Sequence, residues 1–355
     1  MKRYGYLYEK VIDIDNCKKA ILEAARHKHK RSYVSIVVDN LDEYANDLSI
    51  RLQTLKITSP YRLKEIEDGL SHKRRVIKVP KFYPDQCAHH AVMQVLYPII
   101  MKSAYRYSCA NIPNRGIDYA SKYMTKCTKL HKLKYCSKLD IKKFYPSMPN
   151  DKLKAFIRTK VKDKRVLDML DAIIDTSEGL PIGNYTSPWF AEWYLQRLDH
   201  YIKEQLKVPF YCRYADDMVL MSNNKKKLQS ATRKIIAYVD EELGLKIKDN
   251  YQVFPICSRK IDFIGRCYGI GHTTIRKRRA LALMRQSRLI QKLQHKDVPL
   301  CFHLCCGFIS RIGIFKYTNS YAMKCKYQYS VNVNQLKDVV RRNYEKSRCI
   351  EETPF

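Results

Sequence analysis

Three short runs of β-branched and aromatic residues alternate with longer segments of helical periodicity in the middle of the chain. The runs lie in KYCSKLDIKKFYPS at 134–147, PFYCRYADDMVLMS at 209–222 and KIDFIGRCYGI at 260–270. Short apolar runs bounded by turn residues predict strands, whereas apolar residues spaced three and four apart predict helices. The pattern therefore predicts an α+β fold in which one strand is followed by helices and then by a pair of strands.

The flanking segments predict two further parts of the chain. The N-terminal part contains the helical stretches CKKAILEAARHK and LDEYANDLSIRLQTL, and a basic strand-like segment, HKRRVIKVPKF, follows at 72–82. Near the C-terminus, the amphipathic helix ALALMRQSRLIQKLQ is followed by two more helical stretches. We expect a helical extension at 1–70, a central core at 71–275 and a helical part at 276–355.

The charge of the chain indicates a polyanionic partner. Its 355 residues include 67 Lys and Arg against 35 Asp and Glu, so the formal net charge is +32. Such an excess repels itself unless a polyanion neutralises it, and nucleic acid is the obvious candidate. The alternatives are a basic protein without such a partner and a patch that contacts membrane lipid. Because 45% of the residues are hydrophobic, the chain can fill a sizeable core, which argues against disorder.

Apolar runs and cysteines narrow the class of protein further. No run of about 18 apolar residues occurs, and the N-terminus MKRYGYLYEK keeps its charges, so we expect a cytoplasmic protein without a membrane partner. The 13 cysteines form no paired CxxC modules, which is typical of reduced thiols. The group Cys301, His303, Cys305 and Cys306 predicts either a metal site or, from its helical spacing among apolar residues, one face of a packed helix.

The string Tyr214-Ala215-Asp216-Asp217 is the most informative feature of the sequence. Its two adjacent carboxylates lie between apolar β-forming runs, so they are expected at the tip of a hairpin. A bound divalent cation would relieve the repulsion between the two charges. An acidic β-turn without any catalytic role is the alternative.

A third carboxylate favours the catalytic interpretation. Asp140 lies 76 residues before Asp216, at the end of the first predicted strand. Nucleotidyl transfer by two metal ions needs carboxylates from separate strands that converge on ions about 4 Å apart. A carboxylate at a strand end and a carboxylate pair in a hairpin supply such a set.

Five segments of the chain resemble, in order, the motifs of reverse transcriptases. The resemblance covers roughly residues 70–275 and implies a right-hand polymerase fold with fingers, a palm made of an antiparallel sheet with packed helices, and a short helical thumb. It also implies an RNA-templated DNA polymerase. The matching segments are 134–147 for motif A, 178–188 (EGLPIGNYTSP) for motif B, 209–222 for motif C, 243–251 (LGLKIKDNY) for motif D and 261–269 (IDFIGRCYG) for motif E.

The resemblance assigns a metal site to these motifs. Asp140 and Asp216 match the family's metal ligands, Asp217 matches a supporting carboxylate, and the backbone carbonyl of Ile141 is implied as a further ligand. Two Mg²⁺ ions are implied as cofactors, and Mn²⁺ can substitute for them. The implied partners are an RNA template, a DNA or RNA primer and deoxynucleotides.

Further residues match positions that contact the nucleotide. Tyr145 matches the aromatic residue that excludes a 2′-hydroxyl, although it could also be a core aromatic. The basic residues Lys73, Arg74 and Arg75 are candidates for the triphosphate, where Arg offers a fork and Lys a point charge; solvated strand charge is their alternative.

Motifs B and D supply the remaining candidates. Gly183 is implied to let the backbone approach the template and the nucleotide closely, because it lacks a side chain. Lys248 is a candidate general acid for the leaving pyrophosphate, with a solvated lysine as the alternative. The basic residues Arg276, Lys277, Arg278 and Arg279 are candidates for nucleic-acid contacts.

One position separates subgroups of the family. Ile182 stands where most reverse transcriptases carry Gln, and an apolar residue there resembles the enzymes of diversity-generating retroelements, which misread template adenines. That resemblance implies a bacterial or phage-encoded enzyme that copies a dedicated structured noncoding RNA with a small accessory protein. Ser187-Pro188, however, is the form found in most other reverse transcriptases and favours a retron-like or defence-associated enzyme. A catalytically inactive RNA-binding scaffold is the third alternative.

Overall fold

The computed structural model describes residues 3–67, 74–130 and 133–349, which group into two compact units. The first unit comprises Met1–Pro113, Ser137–Leu220 and Lys225–Gln252, and the second comprises Asn114–Cys136, Met221–Asn224 and Val253–Phe355. The predicted three-part division at residues 70 and 275 remains a prediction.

Five helices form the N-terminal part of the first unit. Helix α2 buries residues at the helical spacing of one face, including Cys17, Ile21 and Ala24, and Asp13 caps it by accepting a hydrogen bond from Asn16 N at 3.1 Å. The apolar stripe of α2 packs against α4 and α5, which explains why this charged sequence still forms a core. The helices are α1 (Tyr8–Ile12), α2 (Ile14–Ala25), α3 (Ser32–Asp39), α4 (Leu41–Gln53) and α5 (Cys87–Lys102).

Two antiparallel strands follow α4 and precede α5 in the chain. Strand β1 (Arg62–Glu67) pairs with β2 (Arg74–Val79), with Arg62 opposite Val79 and Glu67 opposite Arg74. All residues of β1 are exposed, including the apolar Leu63 and Ile66. The basic strand predicted within 72–82 is thereby confirmed over residues 74–79.

A central sheet brings the three predicted catalytic carboxylates to the ends of its strands. Strands β4 (Phe210–Tyr214), β5 (Asp217–Ser222) and β3 (Tyr135–Asp140) lie side by side in this order. Consecutive residues of β5, such as Met218, Val219 and Leu220, are all fully buried, so the strand is covered on both faces. The first unit also contains helices α7 (Asn150–Arg158), α8 (Lys164–Ile174), α9 (Ser187–His200) and α10 (Lys225–Glu241).

The second unit has its own sheet and its own helical core. Strands β7 (Ile261–Phe263), β8 (Arg266–Gly269) and β9 (His272–Ile275) form an antiparallel meander. Helix α11 (Lys277–His295) contains the predicted amphipathic helix at 280–294. The remaining elements that lie wholly or mainly in this unit are α6 (Ile117–Leu130), β6 (Gln252–Pro255), α12 (Phe302–Ile312), α13 (Tyr321–Lys324) and α14 (Val333–Cys349).

The helices of the second unit share a small apolar cluster. Leu283, Ile290, Phe308 and Leu336 are fully buried in it, and Cys305 lies in the same cluster. Cys305 therefore lies on the packed face of a helix, which was the alternative to a metal site. Within the described ranges no helix is long and apolar enough to cross a membrane. The mixture of helices and antiparallel strands confirms the predicted α+β class.

Candidate active site

The carboxylates of Asp216 and Asp217 lie at the tip of the β4–β5 hairpin. Strand β4 ends at Tyr214, Ala215 and Asp216 form the turn, and Asp217 begins β5. Ala215 has φ +55°, a left-handed conformation that is unusual for a residue with a side chain. The predicted hairpin is confirmed.

Asp140 is the last residue of β3, and the end of this strand lies beside the turn of the β4–β5 hairpin. The backbone N–H of Ile141 donates to the carbonyl of Asp216 at 3.4 Å, so the end of β3 meets the hairpin turn. Burial raises the pKa of Asp216, and the charge of Asp140 raises it further. Burial also raises the pKa of Asp217 to about 7, with Asp140 and Asp216 adding to the effect. The fold therefore brings together the three carboxylates that the sequence predicted.

Two lysines lie against these carboxylates. Lys248 Nζ is 2.6 Å from Asp140 Oδ1, and Lys138 Nζ is 3.5 Å from Asp217 Oδ2. Lys248 is held there because its backbone N–H donates to the carbonyl of Asp140 at 2.8 Å, beside the bridge between Ile141 and Ile247. Lys248 was predicted from the sequence, whereas Lys138 was not. Its position two residues before Asp140, on the same face of β3, was the available signal.

The carboxylate and carbonyl oxygens at this site are of the type that binds hard divalent cations, but the side chains are not arranged as a complete metal site. In the described part of the chain, no group of three or more His, Cys, Asp or Glu side chains is arranged to hold a metal ion. Asp217 Oδ1, however, is buried and has no hydrogen-bond partner among the described residues. Carboxylate and carbonyl oxygens are the ligands that Mg²⁺ prefers. These residues therefore supply the type of ligand that Mg²⁺ prefers. Lys138 and Lys248 lie against the same carboxylates that the ions would bind.

Tyr145 lies near the carboxylates, in the segment that follows β3. Its ring is half-buried, and burial raises its pKa to about 12, with a further contribution from the charge of Asp216. The Tyr145 hydroxyl is hydrogen-bonded to the side chain of Asn111. Its backbone carbonyl accepts from Leu180 N at 2.8 Å, which joins motif A to motif B.

Gly183 packs against strand β2. Its φ is +129°, and a Cβ added to it would lie 2.2 Å from the carbonyl oxygen of Lys78. The neighbouring Ile182 accepts a hydrogen bond through its carbonyl from Lys78 N at 2.8 Å, while its side chain is half-buried. The close approach that requires glycine is thus to strand β2. The predicted approach to the template and nucleotide remains a prediction.

The basic residues of β2 differ in their relation to the site. Arg74 and Arg75 are exposed and, as neighbours in a strand, point to opposite faces. The charge of Arg75 acts to lower the pKa of Asp216. Lys73 lies outside the described residues.

The family model for reverse transcriptase (RNA-dependent DNA polymerase) matches residues 68–266, more than half of the chain. The chain belongs to the reverse transcriptase family. The match spans the hairpin carboxylates, Asp140 and Lys248, so the recognised region contains the whole cluster described above. No curated protein matches the sequence of this reverse transcriptase.

Solved telomerase structures are similar over part of their length. A C-terminally truncated apo telomerase from Candida tropicalis has a TM-score of 0.49 and 15% identity, over 66% of this chain and 60% of that chain. Telomerase from Candida albicans in complex with a TWJ fragment of telomeric RNA has a TM-score of 0.48 and 13% identity, over 85% and 65%. The chain therefore spans less than two thirds of either telomerase chain.

A buried arginine of β4 was not among the residues predicted from the sequence. Arg213 is fully buried and lies between the carboxylates of Glu192 and Asp199 from α9. Its charge within an apolar strand, three residues before Asp216, is the signal in the sequence that marks it. A buried charge of this kind needs partners, and two acids are spaced seven residues apart on the preceding helix.

The four basic residues at the start of α11 differ in their exposure and in their contacts. Arg276 forms an ion pair with Asp262 at 2.6 Å, and the guanidinium of Arg279 lies beside the backbone of Gly265. The half-buried Arg276 and Arg279 thus differ from Lys277 and Arg278, which are exposed. A role in nucleic-acid contact fits the two exposed residues best.

Proposed function

We propose that this chain is an RNA-templated DNA polymerase that extends a DNA or RNA primer with deoxynucleotides. The observation that supports this activity best is the convergence of Asp140 with the Asp216-Asp217 hairpin, at the meeting point of β3 and the β4–β5 turn. Family membership supports the same activity, since the matched model describes RNA-dependent DNA polymerases.

In this proposal, Asp140, Asp216, Asp217 and the carbonyl of Ile141 hold two Mg²⁺ ions, and Mn²⁺ can replace them. The ions, when bound, activate the primer hydroxyl and stabilise the charge on the leaving pyrophosphate. Arg75 is the proposed contact for the triphosphate, because its exposed guanidinium can bind phosphate oxygens through paired N–H donors. Lys248 can donate a proton to the leaving group once it has left Asp140.

Asp216→Asn is the direct test of the proposed activity. An amide cannot supply the anionic charge that holds the ions, so we expect primer extension on an RNA template to be lost while the melting temperature is retained. Asp151→Asn, which changes an exposed acid in the first turn of α7, is the matched control. Extension by Asp216→Asn at the wild-type rate would remove this residue from the proposed chemistry.

We further propose error-prone copying of a dedicated structured RNA, as in diversity-generating retroelements, with a small accessory protein as partner. The apolar Ile182 supports this reading. Exposed Lys277 and Arg278 are candidates for phosphate contacts on the RNA. If adenine is copied as faithfully as other bases, this assignment fails.

A retron-like or defence-associated enzyme that makes DNA from its own noncoding RNA is the second candidate. Ser187-Pro188 favours it, and the hydroxyl of Ser187 donates to the carbonyl of Pro181 at 2.7 Å, which builds the pair into the start of α9. Sequencing the DNA beside the gene separates the two candidates. Paired template and variable repeats support diversity generation, whereas a structured RNA gene beside defence genes supports the second candidate.

A further inference from the structure

Every N–H donor of the buried Arg213 has an acceptor. Nε and Nη2 donate to the two oxygens of Asp199 at 2.8 and 2.6 Å. Nη1 and Nη2 donate to the two oxygens of Glu192 at 3.0 and 3.1 Å. The fifth bond runs from Nη1 to the backbone carbonyl of Ala215 at 3.2 Å. A guanidinium carries five donors, so the fork is completely used.

The fifth bond reaches the strained residue of the catalytic turn. Ala215 has φ +55°, which costs an alanine free energy that a glycine would not lose. Its peptide unit leads directly into Asp216 and fixes the direction in which that residue enters the turn. A hydrogen bond to the Ala215 carbonyl therefore acts on the geometry of the neighbouring carboxylates.

The guanidinium itself is held from several sides. Asp199 also accepts from the hydroxyl of Tyr211 at 2.8 Å, and Glu192 accepts from the hydroxyl of Ser108 at 2.8 Å. Both acids lie on α9 and are almost fully buried. The turn is thus connected to α9 through the Arg213 side chain, and a buried charge held by five hydrogen bonds has little freedom to move.

We propose that Arg213 is a positioning residue that holds the Ala215 turn so that Asp216 and Asp217 converge with Asp140 on the metal ions. This inference rests on the proposed function of the three carboxylates. Arg213 makes no contact with substrate in this role and acts through the carbonyl of Ala215. Lysine keeps the charge but offers three donors without the planar fork, so it cannot serve both carboxylates and the turn.

The test measures Mn²⁺ binding to the free full-length protein by electron paramagnetic resonance, together with the melting temperature. For Arg213→Lys we expect a weakening of Mn²⁺ binding by about tenfold, because the loss of a residue that orients metal ligands typically weakens binding by about that factor. Leu48→Ala, in the fully buried core of α4, is the stability control and is expected to lower the melting temperature without changing Mn²⁺ affinity. Unchanged Mn²⁺ affinity in a folded Arg213→Lys protein would overturn the proposal.

A second substitution separates positioning from general destabilisation. In Arg213→Lys/Ala215→Gly, glycine adopts the left-handed turn at no cost, so we expect Mn²⁺ affinity to recover by at least about threefold without a matching recovery in melting temperature. An absent recovery contradicts the role of the turn. If Arg213→Lys does not fold, Asp199→Asn replaces it, with a weakening in the same direction expected and no change overturning the proposal.

These outcomes are independent of the polymerase assay. If wild-type protein binds Mn²⁺ through Asp216 but extends no primer, the proposed function fails while the positioning role can still be measured. If wild type extends primers and Arg213→Lys retains both Mn²⁺ affinity and extension, the positioning role alone fails.

Discussion

The ammonium group of Lys248 lies 2.6 Å from a carboxylate oxygen of Asp140, the residue that ends β3. Segment 246–248 pairs with segment 140–142 through backbone hydrogen bonds, so this contact is set by the register of the two segments. We therefore expect the lysine to compete with cations for this oxygen, and Lys248 is also the proposed proton donor.

Replacing Lys248 by Met separates these two roles. We expect Mn²⁺ to bind the free protein up to about fivefold more tightly, because a partly exposed ion pair contributes on the order of 0.2–1 kcal/mol. Single-turnover primer extension should become slower if Lys248 donates a proton to pyrophosphate. Lys246→Met, at an exposed position of the same segment, is the control. Equal Mn²⁺ affinity in all three proteins would show that the ion pair does not compete with metal.

Tyr145 provides a test of sugar selection. Tyr145→Ala should admit ribonucleotides, with discrimination reduced by about tenfold or more, because the open space accommodates a 2′-hydroxyl. Tyr145→Phe retains the ring but loses the hydroxyl that bonds Asn111, so it should still reject ribonucleotides. The measurement is the ratio of kcat/KM for deoxynucleotide and ribonucleotide. Continued rejection by the Ala variant would place discrimination elsewhere.

Ile182 provides a test of copying fidelity. An apolar side chain cannot hydrogen-bond to the nucleotide, and one such bond contributes about 1 kcal/mol, or about fivefold in discrimination. We expect wild type to misread template adenines more often than other bases, and Ile182→Gln to reduce this error while extension continues. The backbone bond from Lys78 does not depend on the side chain.

Sequencing of products copied from a defined RNA measures the error at each template base. Ile182→Met, which is apolar and lacks an amide, is the control and should keep the adenine bias. A bias that persists in Ile182→Gln would exclude this side chain as its cause.

His89 predicts a dependence of stability on pH. The side chain is almost fully buried in α5, and burial lowers its pKa to about 3. Between the unfolded value near 6.5 and the folded value near 3, the unfolded chain binds the additional proton, so stability falls as pH falls. His90, whose pKa burial lowers to about 4, acts in the same direction.

Unfolding by urea at several values between pH 7 and pH 5 tests this expectation. Each histidine contributes at most about a tenfold change in the folding equilibrium per pH unit. His89→Leu should flatten the dependence, and since Nδ1 has no hydrogen-bond partner among the described residues, Leu removes no bond from that atom. The exposed His29→Leu is the control and should leave the wild-type slope unchanged. Identical slopes in wild type and His89→Leu would contradict the assignment.

The sequence by itself determined the elements of the site and their chemistry. Apolar runs interrupted by Asp140 and by Asp216-Asp217 predicted strands that end in carboxylates. Charged residues are found where a buried strand ends and the chain reaches solvent. The order of the five motifs determined the family, which the family match confirms. The strands and their terminal carboxylates are local features, so periodicity along the chain suffices to predict them, whereas the family was indicated by the resemblance of the motifs.

Tertiary structure alone decided which partners these residues have. That Lys248 contacts Asp140, that Arg213 joins Glu192 and Asp199 to the Ala215 turn, and that Gly183 meets the Lys78 carbonyl all depend on contacts between distant segments. A sequence pattern specifies which face of an element is buried, but the register between elements follows from packing the whole core. For the same reason Arg276, one of four consecutive basic residues in the sequence, forms an ion pair with Asp262, while Lys277 remains exposed.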